Sequence, residues 1–508
     1  MIIDKLLNKV TMYRLTLYYL LALIGIATIF SFFGILTYSP FDIAINTTAA
    51  ILVSVITNYI GAKIFGATTN SESAIITALI LVLIVPIQFP ANFLFLIGAC
   101  IAAMGSKYVL TIEKQHVFNP AAVALVAIAL LSPEHTATWW VGTPAMMPFV
   151  IIGGLLLVRR IRRERVVALF AGAYILTVTI ASLIHVGSID SLTTTLSISL
   201  IKSPLWFLGF VMLTEPLTAP ARKKFQYMYA AFVGLLTATP QLKLFGIIFS
   251  PEEALCIGNI FAYIVSNRVR LDLILKEKTV LANNVLQFTF QATGHVPFLP
   301  GQYMEWTLPH KDTDSRGNRR YFSILSSPSA EEMTIGVKFY DQSSSYKLAL
   351  YNLEPGERVV AAQLAGDFVL PKNLTKKRLV FIAGGIGITP FISMIQSIID
   401  TKTKCNITLF YSNNSPNDIA FIDTLEKARA LGVQTVYTLT DTKTVPKDWQ
   451  WETGFVTEEM IKQHAPHYES SIYYISGPQL MVQTFETMLR EFSIPQRNVH
   501  TDYFPGFA

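Results

Sequence analysis

The chain has 508 residues, 52% of them hydrophobic and only 15% charged, a balance far from that of a soluble domain. Its net charge of +6 is small for this length and falls in short clusters between apolar runs, which argues against nucleic acid as a partner and suits the loops of a membrane protein. Three widely separated cysteines, Cys100, Cys256 and Cys405, make neither a disulfide framework nor a zinc pattern, and cannot by themselves ligate a four-thiolate iron–sulfur cluster.

The opening run MIIDKLLNKVTMYRLTLYYLLALIG places basic residues before an apolar stretch with no small-residue cleavage site, and reads as an uncleaved first span. Apolar runs then recur, predicting a ten-span α-helical bundle at residues 15–36, 43–62, 72–87, 91–110, 117–132, 145–159, 166–185, 202–219, 226–241 and 252–267. Several fall short of the ~20 residues a straight span needs, so tilted or broken helices are expected. Lys5, Lys9 and Arg14, Lys63, Lys107 and Lys114, RRIRRER, ARKK, and Arg268 with Arg270 all lie on one side of this topology. The intervening loops, such as SPEHTATWWVGTPA, are nearly free of cations. The expected protein is a multi-pass protein of the cell membrane, with both termini and the second half in the cytoplasm.

Beyond about residue 270 the charge rises, and VLQFTFQATG, QYMEWTL and MTIGVKFY alternate between turn residues, predicting an antiparallel β-barrel over 271–375. From 376 to 508 strands alternate with helices: RLVFIAGGIGITPFISMIQSII, NITLFYSN, VQTVYTLT and SIYYISGP predict a parallel sheet covered on both faces. Three domains are thus expected, 1–270, 271–375 and 376–508. Gly384, Gly385 and Gly387 follow a buried strand and Thr389-Pro390 opens a helix, an arrangement that lets backbone approach an anionic ligand. Gly477 and Pro478 close another strand at the same sheet edge, where ligands of such sheets bind.

Residues 279–508 resemble the ferredoxin–NADP reductase superfamily through PGQYMEW, RYFS, SSYK, GDFVLP, GGIGITP, the Gly477-Pro478 pair with Met481, and the tail DYFPGF, taken in that order and spacing. The resemblance implies FAD on the barrel and NADH or NADPH on the α/β domain. It implies that Arg320 pairs with the FAD pyrophosphate, that Phe322 packs on the isoalloxazine, and that Ser323 donates near its reactive nitrogen. Tyr321, on the other strand face, Val337, Ser344 and Ser345 complete the FAD set, with Ser345 a second phosphate donor. Gly384, Gly385, Gly387, Thr389, Pro390, Gly477 and Pro478 receive the nicotinamide nucleotide. Phe504 lies over the flavin and moves aside for nicotinamide, so that Ser323, Ser476 and Phe504 form the catalytic group. Ser476 stands where many members have cysteine, and Asn413 and Asn414 stand where NADPH enzymes often have arginine, which points toward NADH.

The first half is similar, in HVFNPAA and TEPLTAP, to the family of membrane proteins shared by the sodium-translocating NADH:quinone reductase and the Rnf complex. That resemblance implies inverted five-helix repeats and a second flavin, FMN or riboflavin. The Ser-Gly-Ala-Thr type motif for covalent attachment is absent, Thr193 to Thr195 lacking its context, so a non-covalent flavin lined by Asn119, Pro120, Glu215, Pro216 and Thr218 is expected. His116 and His185 are the histidines at membrane depth and fall near opposite faces, so no haem is expected, nor any iron–sulfur cluster. The resulting expectation is an oxidoreductase passing electrons from NAD(P)H through FAD toward quinone or an extracytoplasmic acceptor, with homo-oligomerisation open. The alternatives are a transporter whose second half senses flavin or nicotinamide state, and a structural component of a larger redox complex.

Overall fold

The apolar runs of the first half form helices whose starts are set by local capping. The computed structural model describes residues 7, 10–66, 71–112, 115–133, 136–185, 189–201, 204–242, 248–266, 269–292, 296–311, 313–314 and 317–504. The chain divides into an N-terminal unit, Met1–Asn267, and a C-terminal unit, Arg268–Ala508.

In the N-terminal unit, α1 (Met12–Phe32) begins at Thr11, whose hydroxyl accepts from Arg14 N. Helix α2 (Pro40–Ile64) begins with a reciprocal Ser39–Asp42 capping box and proline at its first turn, and so satisfies N–H groups that helix formation would leave unpaired. Then come α3 (Ser71–Ile84), α4 (Phe93–Val109), α5 (Pro120–Leu131), α6 (Met147–Ile161), α7 (Glu164–His185) and α8 (Ile189–Ile201). A helical turn, Leu205–Phe207, runs into a π-helical stretch, Leu208–Met212, before α9 (Lys223–Thr237) and α10 (Pro251–Val265). Helix α3 is buried almost throughout, from Thr77 to Ile84. By contrast α2 and α7 expose Leu52, Ile56, Tyr59 and Ile60, and Leu176, Leu183 and Ile184. Apolar surface of that extent suits contact with lipid or a partner better than with water.

The expectation of ten spans in inverted repeats is corrected here. Among the described residues three helices, α1, α2 and α7, are long and apolar enough to cross a membrane, or four if Leu192–Ile201 and Leu205–Met212, bent by 50°, count as one. Length decides this: the 14 residues of α3 reach about 21 Å and the 12 of α5 about 18 Å, against a hydrocarbon core of about 30 Å. The apolar runs are interrupted where Asn119-Pro120 starts a new helix and where Thr214-Glu215-Pro216 leaves helical geometry.

The C-terminal unit carries two sheets. The first contains β1 (Arg270–Ala282), β2 (Val285–Ala292), β3 (Tyr303–Thr307), β4 (Arg319–Ser323), β5 (Glu332–Lys338) and β6 (Arg358–Ala365), with α11 (Ser345–Asn352) between the last two. Its order is β4-β3-β6-β1-β2-β5, antiparallel throughout. One face buries Phe288, Phe290, Trp306, Ile335 and Tyr346. The expected barrel is corrected to an open sheet: the outer strands β4 and β5 do not form a ladder with each other. Where closure would occur the Leu325 N–H donates to Thr334 O.

The second sheet has β7 (Arg378–Gly384), α12 (Thr389–Asp400), β8 (Asn406–Asn413), α13 (Ile422–Arg429), β9 (Val433–Leu439), β10 (Glu452–Thr453), α14 (Glu458–His464), β11 (Ile472–Pro478), α15 (Gln479–Glu491) and β12 (Val499–Phe504). Its strands run parallel in the order β10-β9-β8-β7-β11-β12. Side chains of β7 alternate between two cores. Leu379, Phe381 and Ala383 meet α12 and α13, while Val380 and Ile382 meet α14 and α15. Two buried faces explain why this strand is apolar without alternation. Phe391 stacks on Phe381 with ring centroids 4.7 Å apart and is fully buried. Phe391→Ala is expected to destabilise the C-terminal unit by about 3–5 kcal/mol, read as a lower midpoint in chemical denaturation of the purified chain.

Candidate functional site

Pairing of β3 with β4 sets which way each side chain of the RYFS stretch points. Arg320 lies opposite Trp306 and Phe322 opposite Met304, and the alternation of a strand puts them on one face with Tyr321 and Ser323 on the other. On the first face Tyr346 is fully buried and donates to Trp306 O, and burial holds its hydroxyl well above the usual phenol range. The Arg320 guanidinium lies 5.1 Å above the Tyr346 ring and donates to Arg319 O and Gly317 O. Phe322 packs against the same ring at 6.1 Å.

Tyr346 is the second residue of α11, so Arg320 stands at that helix's N-terminus. Ser344 caps it, accepting from Lys347 N, and the Ser345 N–H donates to Asp314 Oδ2. Asp314 Oδ1 lies 3.7 Å from Arg320, and His310 Nε2 lies 3.0 Å from Ser345 Oγ. A guanidinium beside a helix N-terminus is an anion-binding arrangement. His310 and Asp314 escaped the sequence analysis because they belong to no motif and reach α11 only through the fold.

On the other face Tyr321 donates to Glu305, and Ser323 is buried with no hydrogen-bond partner for its hydroxyl. Ser476, on β11, is fully buried and its hydroxyl likewise lacks a partner. Buried hydroxyls are rarely left unsatisfied, so a polar ligand edge fits these two. Val337 is packed in the core of the first sheet.

Strand β7 ends at Gly384 and the turn Gly385–Ile388 leads into α12, with Pro390 in its first turn. Gly385 has φ +53°, a left-handed conformation that favours glycine, and a side chain there would meet nothing within 4 Å. Gly387 is tight: a Cβ would come within 2.4 Å of Ser476 O and 2.7 Å of Gly477 Cα. The turn therefore packs on the end of β11, joining Gly384, Gly385 and Gly387 to Ser476, Gly477 and Pro478. Thr389 donates to Ile386 O, and its methyl group faces Gly336 of β5. Phe504 pairs with Pro478 in register, and its side chain lies outside the described residues, as does the tail 505–508.

Several hydrogen bonds join the domain of the first sheet to that of the second, among them those of Ser329 to Asp400 and of Tyr474 to Val369 O. Ser393 of α12 donates to Ser326 O, and Lys338 of β5 donates to Asp418 at 3.1 Å. Partial burial raises the Asp418 carboxyl, but the Ser415 hydroxyl, Lys338 and the Ser415 N–H outweigh it and hold the group below the usual carboxylate range.

In the N-terminal unit Asn119, Glu215 and Thr218 come together. Glu215 Oε2 accepts from Asn119 Nδ2 at 2.8 Å and Thr218 Oγ1 at 3.0 Å, and its Oε1 lies 4.0 Å from His116 Nε2. Asn259, missed by the sequence analysis, accepts from Asn119 N and donates to Thr218 O and Tyr229 Oη. Pro120 opens α5 and Pro216 follows Glu215, both at the breaks that create the cluster. The side chain of His185 is outside the described residues. Among the described residues no group of three or more metal-ligating side chains occurs.

Residues 381–487 match the oxidoreductase NAD-binding domain family. A flavohemoprotein of Rhodopirellula baltica is 26% identical over 219 residues, 41% of this chain and 53% of its own. An NADH-cytochrome b5 reductase 1 of Emericella nidulans is 29% identical over 225 residues, 42% of this chain and 71% of its own. The chain thus spans about half the length of that flavohemoprotein. The FAD/NAD-binding domain of a nitric oxide dioxygenase from Vibrio cholerae aligns with a TM-score of 0.41 at 20% identity, covering 46% of this chain and 98% of that one.

These matches correct the resemblance drawn for the first half. They identify a reductase- and flavohemoprotein-like FAD/NAD module joined to an α-helical N-terminal unit, not a membrane protein of the sodium-translocating reductase or Rnf kind. The C-terminal unit carries an FAD- and NAD(P)-binding oxidoreductase module.

The depressed Asp418 group contributes stability that is present above the ordinary aspartate range and lost as pH falls through its lower folded value. Unfolding midpoints of the native chain are expected to drop more steeply with acid than those of Asp418→Asn, as measured from about pH 6 down to about pH 3.

Proposed function

We propose that the protein is a membrane-associated NAD(P)H-dependent flavoprotein oxidoreductase. It has an FAD domain over 271–375 and a nicotinamide nucleotide domain over 376–508, preceded by a membrane domain over 1–270. The observation that carries this reading is the pair of buried, unpartnered hydroxyls of Ser323 and Ser476 within a module whose residues 381–487 match an oxidoreductase domain. When bound, FAD supplies the electron-transfer chemistry. The chain supplies the rest. Arg320 and Ser345 hold the phosphates at the start of α11, Phe322 offers an apolar ring to the flavin, and Ser323 and Ser476 give hydrogen bonds that orient the reacting edges. Gly384, Gly385 and Gly387, in the turn that leads into Thr389 and Pro390, let the nicotinamide nucleotide approach the backbone at the start of α12.

Electrons then leave toward quinone or an extracytoplasmic acceptor through the N-terminal unit. Its exposed apolar helices meet the bilayer, and with the bent pair Leu192–Ile201 and Leu205–Met212 counted as a fourth span the cationic segments Arg159 to Arg165 and Arg222 to Lys224 fall on one side and favour a cytoplasmic placement of both termini. The cluster of Asn119, Glu215 and Thr218, beside Pro120 and Pro216, is the place in that unit for a second, non-covalent flavin, because it gathers polar side chains where two helical paths break.

Anaerobic NADH is expected to bleach the flavin absorbance of the purified protein; an unchanged spectrum refutes the enzyme reading. Arg320→Ala is expected to weaken FAD retention by about 1.5–3 kcal/mol through loss of charge-assisted phosphate bonds, measured as flavin released on dilution. Cofactors extracted under denaturing conditions should give about two flavins per chain, one of them FMN or riboflavin. One FAD alone rules out the second flavin while leaving the reductase reading intact.

A further inference from the structure

The anion corner at the start of α11 contains a histidine that none of the motifs includes. His310 Nδ1 lies 2.9 Å from Leu308 O and Nε2 lies 3.0 Å from Ser345 Oγ. A carbonyl oxygen only accepts, so Nδ1 carries the proton of the neutral ring and Nε2 is the acceptor. The Ser345 O–H is thereby turned toward the imidazole, while its oxygen accepts from Asp314 N at 2.9 Å. The ring meets Tyr346 edge-on with centroids 6.1 Å apart, and Arg320 lies 5.1 Å from that same ring.

We infer that His310 is a positioning residue for FAD, acting through Ser345, and that its protonation tightens FAD binding. This rests on the assignment of the Arg320 corner to the FAD phosphates. Protonation at Nε2 reverses the bond: the imidazolium donates to Ser345 Oγ, whose hydroxyl proton is released to turn toward a phosphate oxygen. The step also places one positive charge beside the phosphates. Among the described residues the charged groups at this corner include Arg320 on β4 and Asp314, which accepts from Ser345 N, while Glu305 on β3 engages Arg319 and Tyr321 on the opposite face of the sheet. Phosphate and imidazolium favour each other, so proton uptake and FAD binding are linked. Affinity is therefore highest where the imidazolium is present and falls as pH rises and its proton is lost.

The test is an FAD titration of the 508-residue chain, stripped of flavin and held in detergent, followed by flavin fluorescence from about pH 5.5 to about pH 8.5. The native chain is expected to lose affinity by roughly tenfold across this range as the attraction between imidazolium and phosphate is lost. His310→Gln, whose amide oxygen can accept from the Ser345 hydroxyl without carrying a charge, should bind FAD with no such slope, and Ser345→Ala should reduce it. Riboflavin, which has no phosphates, should bind the native chain without pH dependence over the same range. A slope that persists in His310→Gln, a flat native profile, or an equal slope with riboflavin overturns the inference. The profile of Arg320→Ala separates the phosphate assignment from the role of His310. Weaker FAD binding at every pH with the slope retained supports the phosphate assignment and His310 together, and unchanged FAD binding removes the assignment on which both rest.

Discussion

Burial of strand Arg378–Gly384 on both faces is the constraint on which the C-terminal unit depends. With Leu379, Phe381 and Ala383 committed to one core and Val380 and Ile382 to the other, the strand cannot shift by a residue without exchanging every side chain between faces. Its carboxyl end is fixed as a result, and so is the turn beginning at Gly385. The closeness of Gly387 to Ser476 and Gly477 then locks that turn to the next strand. The site is the edge at which two well-packed cores end.

Polar groups within this frame fall into two classes. One class is fully engaged: Glu305 takes Tyr321 and Arg319, Asp418 takes Lys338 and Ser415, and Tyr346 donates to Trp306 O. These side chains hold strands and sheets in place. The other class is buried and unengaged, and among the described residues it includes the hydroxyls of Ser323, at the end of β4, and Ser476, near the end of β11, with the side chains of Asn413 and Tyr437. An unsatisfied buried hydroxyl costs about 1–3 kcal/mol. A site that takes up these hydroxyls on ligand binding is a more economical reason for them than packing.

The N-terminal unit shows the same division with its surroundings reversed. Its helices turn many apolar side chains outward, while Asn119, Glu215, Thr218, Asn259 and Tyr229 are gathered inside where two helical paths are interrupted. Proline at each break removes a backbone donor, and the neighbouring side chains engage the backbone groups that remain.

Composition and periodicity by themselves determined the change of character near residue 270, the apolar helices before it and the order of strands and helices after it. These are local properties, since period and turn chemistry are written in adjacent residues. The glycine turn and the RYFS strand were legible for the same reason. Tertiary structure alone decided how many apolar runs are long enough to span a bilayer, because a run of apolar letters does not show where Asn119-Pro120 or Thr214-Glu215-Pro216 interrupts the helix. It alone decided that the first sheet stays open, since closure depends on how the outer strands approach across residues distant in sequence. It also decided that His310 and Asp314 join Arg320 and Ser345. Hydrogen bonds that span about 30 residues through a loop leave no periodic trace, and only the pairing of β3 with β4 and the start of α11 bring those atoms within reach.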